Sequence, residues 1–202
     1  MRARISPVTM LAAALALSTP TWAQTNLFGV SGFSATVNLA LPTGGAMSMR
    51  IYVLGTSERT DLPGGRGGYS LTIGSNQTMY LVMNPSMCMQ RSLDLQKNGP
   101  NPFTMSGDVK RQEVGTETVD GHPTKVELIT LTTHSGPMTM KAWRATDLQG
   151  FPVRLEIPMP NGGTMREELT DVNLSPPPSS MFAPPSNCMQ MGAMPGMPGA
   201  PH

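Results

Sequence analysis

Residues Val109 to Ile157, VKRQEVGTETVDGHPTKVELITLTTHSGPMTMKAWRATDLQGFPVRLEI, decide the fold, because this stretch alternates short β-branched runs with polar turns. Apolar side chains in its last part fall on every second residue, at Phe151, Val153, Leu155 and Ile157. The residues between them are Pro152, Arg154 and Glu156. A period of two is typical of a half-buried strand, so the stretch predicts a sheet.

The same pattern extends in both directions along the chain. Turn residues such as Pro42-Thr43-Gly44-Gly45 and Asp120-Gly121 recur about every 8–12 residues from Gly32 to Leu174 and separate about ten predicted strands. The one segment with a possible helical turn is Arg91 to Gln96. This spacing predicts a mainly β protein whose antiparallel sheet curls into a barrel or half-barrel.

Two segments of the central stretch carry a family resemblance. Gly115–Lys125, GTETVDGHPTK, and Ala142–Arg154, AWRATDLQGFPVR, resemble the exported bacterial proteins of the DUF4412 family. That family is similar in turn to the lipoprotein carriers of the LolA/LolB-like class. The resemblance implies an unclosed antiparallel half-barrel around one or two helices, with an apolar concavity that holds acyl chains in the better-known carriers, and it implies no catalytic residues.

The two ends of the chain differ in composition from the region between them. Arg2 and Arg4, an apolar run of about ten residues, and then Thr21-Trp22-Ala23 predict a cleavable signal peptide over residues 1–23. We expect a short linker over 24–31, the β domain over 32–185 and a disordered tail rich in Pro and Met over 186–202. The protein is therefore predicted to be exported, to the periplasm or beyond it, without a membrane anchor after cleavage.

Charge and motifs exclude several classes of function. The chain has 14 basic and 13 acidic residues, dispersed along its length, so no basic patch predicts a nucleic acid or a membrane surface as partner. No nucleophile elbow, phosphate-binding loop or metalloprotease motif occurs. We therefore predict a protein that is not an enzyme, is monomeric, and has a small apolar ligand or an envelope protein as its partner.

The two cysteines allow alternative interpretations. In an oxidising compartment Cys88 and Cys188 can form a disulfide that ties the tail to the domain. They can also stay free thiols or act as metal ligands. Only the first interpretation removes both thiolates.

Methionine is the residue with the most distinctive distribution, with 18 in the chain. Met47/Met49 and Met138/Met140 recur at i, i+2, so each pair lies on one face of its strand. Flexible thioethers suit a cavity for variable apolar ligands, which makes these four residues and Trp143 the candidate lining of the binding site.

A second interpretation of the methionines involves a soft metal ion. Thioethers and thiolates select Cu(I), and the tail is rich in both. The candidate ligands are Met87, Cys88, Met89, Cys188, Met189, Met191, Met194 and Met197. The leading hypothesis is thus a carrier without a cofactor that binds an acyl chain or another lipophilic molecule, and the alternative is an envelope protein that binds Cu(I).

Overall fold

The computed structural model describes residues 29–41, 44–64, 67–84, 86–93, 109–133, 136–159, 162–186 and 188–190. Within these ranges the chain forms twelve strands and three short 3-10 turns, and it contains no α-helix. The strands are β1 (Gly32–Ala40), β2 (Ala46–Leu54), β3 (Ser57–Asp61), β4 (Tyr69–Ile73), β5 (Thr78–Asn84), β6 (Met87–Ser92), β7 (Val109–Val119), β8 (His122–Thr133), β9 (Gly136–Ala145), β10 (Phe151–Pro158), β11 (Thr164–Asn173) and β12 (Met189–Gln190). The 3-10 turns are Gly74–Asn76, Thr146–Leu148 and Ser179–Phe182.

All twelve strands belong to one curved sheet that does not close. Its order is β12-β6-β5-β4-β3-β2-β1-β11-β10-β9-β8-β7. Two antiparallel meanders, β1 to β6 and β7 to β11, are joined by the pairing of β1 with β11. The last strand, β12, adds in parallel to β6. The predicted mainly β half-barrel is therefore confirmed.

Tight turns and bulges shape the sheet. Asp120 and Gly121 both have positive φ, 49° and 82°, which is the backbone that a two-residue hairpin between β7 and β8 requires. Register shifts interrupt β7 between Glu113 and Gly115 and β10 between Pro152 and Arg154. Because a bulge bends and twists its strand, these shifts help the sheet to curve.

The main core lies on one face of the sheet, which we call the inner face. Phe33 of β1 and Phe151 of β10 are fully buried there, and their rings meet edge to face with centroids 4.6 Å apart, although β11 separates the two strands. The buried members of this core are Phe33, Ala35, Val37, Ile51, Val53, Ile129, Leu131, Met140, Ala142, Phe151, Leu155, Ile157 and Leu169. They come from β1, β2 and β8 to β11.

The apolar face changes sides from β3 onward. Register places Glu58, Thr60, Ser70 and Thr72 on the inner face of β3 and β4. Leu71 and Ile73 of β4 and Tyr80 of β5 lie on the opposite, outer face, whereas Met79 and Leu81 of β5 stay on the inner face. There they pack with Met181 and Phe182 of residues 176–186, which we call the C-terminal strap.

The structure corrects the sequence-based assignment in three places. Arg91 and Ser92, predicted as part of a helical turn, belong to strand β6 because they pair with β5; residues 94–96 of that turn lie outside the described residues. His122 and Pro123, predicted in a turn, already belong to β8. The helix or two implied by the family resemblance correspond, among the described residues, to no more than the 3-10 turns.

Residues after Pro185, the predicted end of the domain, contact the sheet. Cys188 is bonded to Cys88, and Met189 and Gln190 pair with Met89 and Gln90. The predicted signal peptide, 1–23, and residues 191–202 of the predicted tail lie outside the described residues. Among the described residues, no helix has the length and apolarity needed to cross a bilayer.

Candidate functional site

An open cavity of about 600 Å³ lies at the end of the sheet where β1, β2 and β11 meet. It is lined by Asn38, Leu39, Ala40, Ala46, Met47, Ser48, Arg166 and Glu168. Antiparallel register brings these residues together, because Leu39 pairs with Met47 in β2 and Ala40 pairs with Arg166 in β11. We call this the end cavity.

One part of the end cavity is apolar and half open to solvent. Met47 is 43% exposed although it continues the inner-face row of Met49 and Ile51. Leu39 lies opposite Met47 on the same face. Leu39 and Met47 are therefore the last residues of the inner apolar face, and they lie at the end cavity outside the main core.

The other part of the cavity is polar and comes from the outer face. Arg166 donates from Nη2 to Glu168 Oε1 at 2.9 Å, and Glu168 Oε1 also accepts from Nε of Arg154 at 3.0 Å. The Nε atom of Arg166 is buried and has no hydrogen-bond partner among the described residues. The side chain as a whole is 42% exposed, so the guanidinium can still donate to a further acceptor in the cavity.

A buried carboxylate lies next to this site on the inner face. Glu167 of β11 pairs with Leu39 on one side and Leu155 on the other, and its Oε2 is buried without a partner among the described residues. Burial raises the pKa of Glu167 to about 7, and the charge of Glu58 adds to the increase. Glu167 is therefore about half protonated near neutral pH.

The predicted cavity residues divide between the two faces. Met47, Met49, Met138 and Met140 all lie on the inner face, but only Met47 lines the end cavity. Met140 is fully buried in the main core, and Met49 and Met138 pack against that core.

Trp143 lies on the outer face instead, in a separate cluster with Val126 and Val153. Its Nε1 donates to Glu117 Oε2 at 2.7 Å. The Lys141 ammonium and the Arg154 guanidinium lie 4.4 and 5.3 Å from its ring centroid. Trp143 is thus covered by charged side chains and does not reach the end cavity.

The disulfide removes both cysteines from the predicted soft-metal ligands as free thiols. Cys88 and Cys188, 100 residues apart, are joined with their Cα atoms 4.6 Å from each other, so neither is a free thiol. Met87, Met89 and Met189 lie together at the β6–β12 edge. Met191, Met194 and Met197 lie outside the described residues. The described part of the chain holds no group of three or more His, Cys, Asp or Glu side chains that could bind a metal ion.

Sequence reasoning missed Arg166, Glu167 and Glu168. A signal was present, because Met165, Glu167 and Leu169 alternate in β11 and place a carboxylate at an apolar position. An acidic residue in an apolar row is worth testing as a site residue, since burying it costs free energy.

Comparisons with known proteins give a fold similarity only. No protein-family model and no curated protein matches the chain, so DUF4412 membership stays a prediction. Among solved structures, the chain is similar to a LolA superfamily protein from Nitrosomonas europaea (15% identity, 80% of this chain and 93% of that one, TM-score 0.40). It is also similar to the lipoprotein LppX of Mycobacterium tuberculosis (18%, 72% and 87%, 0.45). A third is a putative outer membrane lipoprotein-sorting protein domain from Vibrio parahaemolyticus (14%, 71% and 85%, 0.41).

Proposed function

We propose that this protein is a non-catalytic, extracytoplasmic carrier that binds an amphiphile with a single acyl chain and an anionic head at the end cavity. The observation that carries this proposal is an open cavity whose lining combines Leu39 and Met47 of the inner face with the guanidinium of Arg166 from the outer face. The cavity volume, about 600 Å³, lies within the range of about 300–1,000 Å³ that small-molecule sites occupy.

The apolar wall suits an alkyl chain of variable length. Leu39, Ala46 and Met47 offer no hydrogen-bonding side chain, and the unbranched thioether of Met47 can follow different chain shapes. Burying a half-exposed Met47 against an alkyl chain removes apolar surface from water, which supplies binding free energy without a polar contact.

The polar wall suits an acidic head group. The Arg166 side chain is 42% exposed, so its guanidinium can donate to a carboxylate or phosphate oxygen, and such charge-assisted hydrogen bonds are among the stronger ones in proteins. Glu168 already binds Arg166 and Arg154, so it holds the guanidinium in place for the ligand. Export, predicted from residues 1–23, would place the carrier where envelope lipids travel between membranes.

Native mass spectrometry of the purified full-length protein tests the proposal, followed by titration with a fluorescent fatty acid. We expect a co-purifying lipid and saturable binding. Met47→Glu should weaken binding about tenfold or more, which corresponds to about 1.4 kcal/mol, because it places a charge in the apolar wall. Arg166→Gln should weaken binding of the fatty acid more than that of the matching alcohol.

Met83→Glu provides the matched control. Met83 of β5 is 38% exposed, close to the 43% of Met47, and it does not line the end cavity. Its variant should bind like the wild type. Equal losses in the Met47 and Met83 variants, or no saturable binding by the wild type, would contradict the proposed site.

A further inference from the structure

The edge of the sheet at β6 and β12 carries three methionines that face the same way. Met89 pairs directly with Met189 in the parallel ladder, and Met87 lies two residues before Met89 on the same face of β6. Paired residues on neighbouring strands are about 4.8 Å apart, and residues i and i+2 about 6.6 Å. We call Met87, Met89 and Met189 the edge thioethers.

The disulfide explains why these side chains come together. Cys88 and Cys188 immediately precede Met89 and Met189, and their bond fixes two segments that are 100 residues apart in the sequence. Side chains alternate along a strand, so the cysteines point to the outer face, where both pack in the Leu71–Phe182 cluster. The methionines that follow them must then point to the inner face.

Core packing does not account for the edge thioethers. Met87 is 42% exposed and Met189 is 53% exposed, and neither belongs to a hydrophobic cluster of the described residues. Each side chain has three rotatable bonds, so three sulfur atoms at this spacing can converge on one point. The arrangement is therefore an accessible group of soft, neutral donors.

We infer that the edge thioethers form a binding site for a soft monovalent cation, Cu(I) or Ag(I). Thioether sulfur selects soft ions over Mg²⁺ and Ca²⁺, which prefer oxygen. A monovalent ion also needs less compensating charge than a divalent one. The charged neighbour on this face of β6 is Arg91, which is exposed and can extend into solvent.

This site is independent of the end cavity and of the proposed lipid. Because the disulfide removes both thiols, the methionines are the soft donors left at this edge under oxidising conditions. The disulfide then positions the three methionines, and its sulfur atoms are not ligands of the ion.

The test titrates the oxidised full-length protein with Ag(I), followed by calorimetry and native mass spectrometry, and with Cu(I) in ascorbate against a chromogenic chelator. The triple variant Met87→Leu, Met89→Leu, Met189→Leu keeps the apolar volume but removes all three sulfur atoms. We expect it to lose one bound ion per chain, and we expect Met189→Leu alone to weaken that ion's binding by about 10- to 100-fold.

The matched control is Met47→Leu, which removes an exposed thioether at the end cavity, away from β6 and β12, and should leave the metal binding unchanged. Thermal unfolding of each variant shows whether it folds, and Leu for Met substitutions cost less than about 1.5 kcal/mol. Full retention of metal binding by the triple variant would overturn the inference, because the ion would then be held by the methionines after residue 190. An equal loss in the control variant would overturn it as well.

A second variant tests the role of the disulfide. In Cys88→Ser, Cys188→Ser the two strands are no longer tied together, so Ag(I) binding should weaken by about tenfold or more although all methionines remain. Unchanged affinity in this variant would show that the edge thioethers do not depend on the β6–β12 register, against the inference.

Discussion

The two halves of the sheet have their largest buried clusters on opposite faces. In β1, β2 and β8 to β11 the apolar row lies on the inner face, and Phe33 meets Phe151 across β11. In β4 and β5 the apolar row lies on the outer face, beneath the C-terminal strap. The curved sheet thus covers the inner-face core by itself, whereas the outer-face cluster of β4 and β5 is covered by the C-terminal strap.

The difference has a consequence for stability and for function. The inner-face core is covered by the sheet itself and needs no cross-link. The outer-face cluster is covered by a short strap with one aromatic anchor, Phe182, so a disulfide that holds the strap stabilises it. The Cys88–Cys188 disulfide lies at the end of the strap. It follows that the inner face of β3 and β4 is left to polar side chains such as Glu58 and Thr72, and the apolar floor of the end cavity comes from the other half alone.

The largest expected effect is in the half that curves around its own core. Phe33→Ala removes a fully buried ring and its contact with Phe151, so it should lower the free energy of unfolding by about 3–5 kcal/mol. Urea denaturation at pH 7 measures the change. Phe182→Ala, in the strap itself, should cost less because the disulfide still holds that segment. A larger loss for Phe182→Ala would reverse the ranking of the two cores.

The next effect concerns the half that the strap covers. Cys88→Ser with Cys188→Ser opens a link across 100 residues, and a loop of this length is worth at most about 4.7 kcal/mol in the chain-entropy treatment. Hydrogen exchange should show faster exchange in β6 and residues 176–190, with little change in β9 and β10. Uniformly faster exchange over both halves would contradict a strap that acts locally.

A pH effect of intermediate size is expected where the inner face carries Glu167. Because burial raises its pKa from 4.5 to about 7, stability should fall as pH rises from about 4.5 through 7, by up to about 3 kcal/mol. Below pH 4.5 the group is protonated in both states and contributes nothing. Glu167→Gln should remove this slope and raise stability at pH 8.

Glu58→Gln separates the two causes of that pKa. Burial is the larger cause and the charge of Glu58 the smaller one, so this variant should reduce the slope and not abolish it. Urea midpoints at pH 5, 6, 7 and 8 provide the comparison. A slope that survives in Glu167→Gln would assign the pH dependence to another group.

Local pattern predicted most of the strands, and long-range contacts decided the rest. The β7–β8 hairpin and β10 follow from Asp120-Gly121 and from the period of two, which are properties of neighbouring residues. Strand β6, Met87–Ser92, has no β-branched residue and is a strand because it pairs with β5. The two-residue β12 depends on β6 and on a disulfide partner 100 residues away.

The candidate site was predicted less well for the same reason. Met47 was a candidate from its spacing to Met49, but the end cavity also needs Arg166 and Glu168, which only the β1–β11 pairing brings near it. Strand alternation alone cannot say which face of β4 is covered, because the cover comes from residues 176–186. Trp143 lies three residues after Met140 on the same regular strand, so alternation along β9 puts it on the opposite face from the paired methionines.

The smallest expected effects compare matched substitutions on the inner faces of the two halves. Val37→Thr places a hydroxyl in the main core, where Val37 pairs with Met49 and Leu169, and should cost about 1–3 kcal/mol unless the hydroxyl finds a partner. Thr72→Val makes the reverse change on β4, between Glu58 and Met79, and should stay within about 0.5 kcal/mol. Urea midpoints of the two variants measure the difference. If Thr72→Val were as costly as Val37→Thr, the Thr72 hydroxyl would be buried and hydrogen-bonded, and the inner face of β4 would have a core of its own.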